Sequence, residues 1–99
     1  SPNELFTSDG MVVKEQKINL FAGVAYENLR QEAATGSGQY VTALASLYEI
    51  PAARQGEFGQ VLQRKHADLF AADLEQDRSA HLKMVAALNR ELMAAALLP

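Results

Sequence analysis

Gly36-Ser37-Gly38 is the first stretch whose residue types suggest chemistry, because two glycines flank a serine where one helical pattern stops and another starts. Free N–H groups and the positive dipole end of a helix hold anions at such a place. The spacing matches neither a phosphate loop nor a dinucleotide fingerprint, both of which need more glycines and a preceding strand. The plainer reading is a helix–helix corner. Gly36 suits the left-handed position after a helix, and Ser37 suits the N-cap of the next one, its hydroxyl accepting from the N–H of Gln39 or Tyr40. Gly36, Ser37 and Gly38 are therefore read as a structural hinge, with no cofactor assigned to them.

The other reactive side chains do not assemble into a motif. His66 and His81 are the only histidines. His66 and Asp68 stand two apart on a helix and face different ways, while His81 falls on an apolar stripe. A metal site would need both histidines to meet across two helices together with carboxylates, so no metal ligand is assigned. Ser37, Ser46 and Ser79 lack a nucleophile elbow or an adjacent base. Glu49 with Glu57, and Asp73 with Glu75 and Asp77, are candidate acid pairs whose helix-end and loop positions fit a solvated surface better. Tyr26, Tyr40 and Tyr48, with Phe21, Phe58 and Phe70, have the amphipathic rings that line ligand grooves, yet their spacing places most of them in a core. Arg54, Arg64 and Lys65 are diluted by Glu57 and Asp68. The sequence thus nominates no catalytic residue and points to a protein that is not an enzyme.

The elements that would position these groups are helices. Ile18, Phe21, Ala22, Ala25, Leu29 and Ala33 recur on a 3.6-residue period and define one long helix from about Met11. Val13, Leu20 and Val24 form a second apolar set on nearly the opposite side. A helix apolar on two sides is expected to be sandwiched, either centrally in the fold or at an oligomer contact. Tyr40, Val41, Leu44, Ala45, Leu47 and Tyr48 make a short second helix that Ile50-Pro51 closes. Pro51 suits an early position of a third helix, whose buried stripe is Phe58, Val61, Leu62, Leu69 and Phe70. Gly56 and Gly59 weaken that helix and mark either a close approach or an irregular start. Ala71 to Asp77 reads as a loop, and Ser79 or Asp77 as the cap of a last helix with His81, Met84, Val85, Leu88, Leu92 and Ala95 on one face. Nothing alternates as a strand does.

Composition bounds the rest. With 99 residues, 48% hydrophobic and 21% charged, the chain is an ordinary single globular domain. Residues 1–10 read as an irregular lead-in and 11–99 as the helical domain. A net charge of -3 and a pI near 5.3 give no electrostatic footprint for nucleic acid or an anionic membrane. The absence of cysteine excludes disulfides and thiolate metal sites. The longest apolar run, near Met93 to Leu98, is far short of the roughly 20 residues of a membrane span. No signal peptide is recognisable, and a start at Ser1 with an apolar Ala-Ala-Ala-Leu-Leu-Pro end suggests a mature form or a chain cut at both ends.

From about Val12 to Leu88 the sequence resembles a family of small, secreted bacterial proteins known only as a domain of unknown function. The resemblance rests on Phe21 and Leu29, then Ala34, Gly36, Ser37 and Gly38, then Leu44, Ala45 and Leu47, then Pro51, with Leu69 and Phe70 closing. The glutamate that usually follows the second glycine is Gln39 here. Relatives also carry a signal segment and a glycine-rich, cysteine-containing stretch ahead of the helices. The resemblance implies an all-helical fold and an exported or periplasmic location, and it supplies no activity.

These readings converge on an all-α fold, a four-helix cluster around a long central N-terminal helix. The expected role is a non-enzymatic binding or structural module acting through protein contacts. The candidate partner surface is Val13, Leu20 and Val24 with the apolar C-terminal tail, for a homodimer or another protein. A small apolar ligand held between helices under the tyrosines is the alternative.

Overall fold

The computed structural model describes residues 8–73 and 75–99, with side chains from Val12 onward. The fold is all-α, as the periodicity requires, and no strand occurs among the described residues. Its helices are α1 (Ser8–Val24), α2 (Tyr26–Ala33), α3 (Gln39–Leu47), α4 (Gln55–Arg64), α5 (His66–Leu69) and α6 (Ala80–Ala94), with a single 3-10 turn at Ala52–Arg54. Two of the four expected helices are therefore each broken once.

The expected long first helix bends at Ala25, whose φ of -102° and ψ of 14° leave the helical region. The hydrogen-bond ladder still runs through it, since the Ala25 N–H reaches Phe21 O and the Leu29 N–H reaches Ala25 O, both at 2.8 Å. Packing partners change at this bend: α1 lies on α6 and α3, whereas α2 lies on α3 and α4. Helix α1 starts at Ser8, inside the segment expected to be irregular, while residues 1–7 of that segment lie outside the described residues. The third expected helix breaks in the same way at Lys65. Pro51 is the N-cap of the 3-10 turn, with ψ 146°, and so stands outside the helix it was expected to begin.

The core follows the stripes. Ile18, Ala22, Ala25, Leu29 and Ala33 are buried along one side of α1 and α2, Phe58, Val61, Leu62, Leu69 and Phe70 come from α4 and the α5 region, and Met84, Val85, Leu88 and Leu92 from α6. Each fully buried leucine contributes about 2 kcal/mol through loss of its apolar surface from water. Every tyrosine pairs with a phenylalanine: Tyr26 with Phe70 at 5.4 Å edge-on, Tyr48 with Phe58 at 5.9 Å, and Tyr40 with Phe21 at 6.4 Å between ring centroids. The two buried hydroxyls find acceptors, Tyr26 at Ala72 O and Tyr48 at Asn89 Oδ1, each at 2.6 Å. Burial therefore raises both phenol pKa values above their usual range.

Two helix ends close with a residue other than glycine in the left-handed region. Glu49, with φ 60°, ends α3: its N–H donates to Ser46 O and the Ile50 N–H donates to Ala45 O. Ala96, with φ 57°, ends α6 by the same pair of bonds, to Met93 O and Leu92 O. In each case the next residue, Ile50 or Leu97, is buried, and its burial holds the turn. Lys14 Nζ donates to Tyr48 O at 3.3 Å and to Glu49 Oε2 at 3.1 Å, while Arg54 donates to Ala96 O at 2.8 Å. Long cations from distant elements thus satisfy the carbonyl-rich end of each helix.

Candidate functional site

The corner between α2 and α3 is built from backbone and one carboxylate. Gly36 has φ +75°, and its N–H donates to Glu32 O at 2.9 Å. A Cβ at Gly36 would lie 2.8 Å from Gly59 O, and one at Gly59 would overlap the Gly36 carbonyl, so the corner and α4 cross in backbone contact. Gly59 is the close approach that the sequence left open, whereas Gly56 faces open space. The N-cap expected of Ser37 does not form. The capping residue is Gly38, φ 142°, and it makes no side-chain cap. Instead Glu32 Oε1, from the preceding helix, accepts the Tyr40 N–H at 2.8 Å and the Val41 N–H at 2.9 Å. Gly38 makes room for it, because a Cβ there would overlap the Glu32 carboxylate. The start of α3 already holds its anion, and that anion belongs to the chain.

The histidines stay apart. His66 Nε2 bonds Arg30 O at 2.8 Å, and its ring lies 5.5 Å from that of Phe70. His81 lays its ring on Gly23 of α1, and its Nδ1 is buried with no hydrogen-bond partner. No group of three or more His, Asp or Glu side chains suited to a metal ion occurs among the described residues. Glu49 and Glu57 are also separate, paired with Lys14 and Arg54. Asp77 Oδ1 accepts both the N–H and the hydroxyl of Ser79, and Oδ2 accepts from Lys83 Nζ at 2.6 Å. Lys83, then Ser79, hold the Asp77 carboxyl at about 2, below its ordinary 3.8. Asp77 therefore orders the entry to α6, while Ser79 occupies the N-cap position without a side-chain cap bond.

The second apolar side of α1 is uncovered. Leu20 is 71% exposed, Val24 81% and Val13 49%, so no second layer covers this side among the described residues and the expected sandwich does not form among them. Of the C-terminal tail, Met93 is 57% exposed, but Leu97 is buried and Leu98 half-buried, so most of it belongs to the core. Two concavities flank α1. A groove of about 480 Å³ runs between α1 and α6, with Ile18, Val85 and Leu98 along it and Lys14, Tyr48 and Asn89 among its polar groups. A dent of about 300 Å³ lies among Asn19, Leu20, Gly23, Val24, Arg78 and His81. The sequence reading missed Gly23, one turn from Leu20 on α1, and Arg78, which comes beside Leu20 only when α6 packs on α1.

Fold and surface together define a small all-α domain with exposed apolar side chains on the outer face of α1 and at Leu82 and Met93 of α6. The chain belongs to the DUF3015 family, proteins of unknown function, whose profile matches residues 5–97. No curated protein and no solved structure matches it. No helix among the described residues is long and apolar enough to cross a membrane.

Proposed function

We propose that this chain is a non-enzymatic binding or structural module that works through protein contacts on the outer face of α1. The observation that carries the reading is the exposure of Leu20 and Val24 on a folded helix whose other side is buried at Ile18 and Ala22. Apolar side chains left in solvent on one face of a folded helix offer a surface for a partner. The separate positions of the two histidines and the pairing of Glu49, Glu57 and Asp77 with cations support a role without catalysis. A periplasmic or secreted location is part of the proposal, supported by the resemblance to secreted proteins.

A photo-crosslinking residue at position 20, expressed in source cells, tests the contact. Adducts with another polypeptide are expected from position 20 and not from Ala67, an exposed site on α5. Equal yields from the two positions, or none from either, remove the reading. Cell fractionation of the full-length gene product tests the location.

The groove between α1 and α6 favours a second reading, a carrier for a small apolar ligand, because its volume of about 480 Å³ falls within the range of ligand pockets. Native mass spectrometry on protein purified from its source would reveal a retained ligand. A spectrum of bare protein alone counts against it.

A further inference from the structure

The lining of the groove between α1 and α6 narrows the chemistry of a ligand, and this inference rests on the carrier reading above. We propose that the groove takes an uncharged, elongated molecule with one carbonyl group between two apolar arms, as in a dialkyl ketone or an alkyl ester. Leu82, Ala86, Asn89 and Met93 line the α6 wall at i, i+4, i+7 and i+11, a run of about 16 Å. Asn89 stands inside that run, about 10 Å from the Leu82 end and about 6 Å from the Met93 end. Val85 keeps the groove apolar on one side of it, and Leu98, whose N–H bonds Leu92 O, on the other. Asn19 stands at the far end, where the groove meets the dent.

One hydrogen bond fixes what Asn89 offers. The Tyr48 hydroxyl donates to Asn89 Oδ1 at 2.6 Å, and burial raises the phenol pKa, so the hydroxyl keeps its proton and needs that oxygen as acceptor. Oδ1 is thereby committed to Tyr48. The amide nitrogen Nδ2 is left with no acceptor among the described residues, and it is not shut away from the groove's solvent. A donor of this kind in a largely apolar groove selects a ligand that brings an oxygen to it.

The charges of the lining favour a neutral ligand. Lys14 is engaged by Tyr48 O at 3.3 Å and Glu49 Oε2 at 3.1 Å, and the other charged residue on the groove, Glu15, stands in solvent. A fatty-acid anion would find no cation without a carboxylate beside it. A cationic head would find Glu15, and exposed pairs of that kind contribute little. A carbonyl oxygen needs only the Asn89 N–H.

The test titrates the isotope-labelled whole chain with butyl hexyl ketone, its isomer methyl nonyl ketone, and undecanoate, followed by NMR. The two ketones differ only in where the carbonyl sits, so they leave water at nearly equal cost. Butyl hexyl ketone is expected to move the Asn89 side-chain amide signals together with those of Ile18, Val85 and Leu98, and to bind roughly tenfold tighter than its isomer. Asn89→Asp keeps an acceptor for Tyr48 but loses the amide donor, and is expected to erase the preference between the ketones. Ala86→Trp, at an exposed position on the groove, is expected to abolish binding of both. Unchanged melting shows that each variant folds, and the comparison of isomers needs no variant.

Equal affinity for the two ketones, with shifts confined to the groove, overturns the carbonyl assignment and leaves the carrier reading standing. Tighter binding of undecanoate, or a preference between the ketones that survives in Asn89→Asp, overturns it as well. A dimer in sedimentation that Ala86→Trp dissociates gives the groove to a second copy and does the same. If no probe shifts the groove signals, the carrier reading itself falls.

Discussion

The corner after α2 and the outer face of α1 differ in what the chain does with its exposed groups. At the corner the glycines and Glu32 are used inside the molecule, while the Ser37 side chain stays exposed. Gly36 and Gly59 let two backbones touch, Gly38 makes room for Glu32, and Glu32 takes the free N–H groups of α3. On the outer face of α1, Leu20 and Val24 extend into solvent and are covered by no second layer among the described residues. A Gly-Ser-Gly sequence therefore draws attention and turns out to be architecture. Leu20, which periodicity marks as part of a second apolar side, is the surface left over.

That contrast breaks most visibly at the corner. Gly59→Ala is expected to cost about 3 kcal/mol or more, because the new methyl would overlap the Gly36 carbonyl unless the corner and α4 move apart. Gly36→Val combines a disfavoured φ with a Cβ 2.8 Å from Gly59 O, and is expected to cost about 2 to 4 kcal/mol. Urea unfolding followed by circular dichroism reads both, and a loss below about 1 kcal/mol for either would show that the crossing is looser than described.

Glu32→Ala is expected to cost about 1 to 2 kcal/mol in the same assay, through loss of the charged cap on α3. Ser37→Ala should change little, and a larger effect there than at Glu32 would reverse the assignment of the cap.

Much of this fold is legible in the sequence because burial leaves a 3.6-residue signature. Ile18 to Ala33, Phe58 to Phe70 and Met84 to Leu92 announce their faces without any knowledge of neighbours. Capping by Glu32 is not legible, since a carboxylate can serve the next helix only after the corner has turned back on itself, and a serine in the usual place offers a local alternative. The left-handed residues Glu49 and Ala96 are equally hidden, because no glycine marks them and the burial of Ile50 and Leu97 imposes them. Periodicity also finds the second face of α1 but cannot say whether the same chain covers it. Arg78 enters the candidate site only through the packing of α6 on α1.

Smaller effects sharpen the comparison. Ala96→Gly relieves the left-handed strain, less the added freedom of the unfolded chain, and is expected to raise stability by about 0.5 kcal/mol. A fall in melting temperature would show that Ala96 is not strained. The low pKa of Asp77 means that its carboxylate favours the folded state above the unfolded value near 3.8, and that this contribution disappears as pH falls through about 2. Melting temperatures of the wild type are therefore expected to drop toward those of Asp77→Asn between about pH 4 and pH 2. Parallel curves across that window would contradict the pairing of Asp77 with Lys83 and Ser79.

The smallest expected effect bears on the central claim, that the outer face of α1 is spare in folding and reserved for contact. Thermal unfolding of the Leu20→Asp, Val24→Asp double variant tests it most directly. Both side chains stand in solvent, so the variant is expected to melt cooperatively within about 0.5 kcal/mol of wild-type stability. A loss of about 2 kcal/mol or more would show that Leu20 and Val24 belong to the core of this chain, and would remove the contact face.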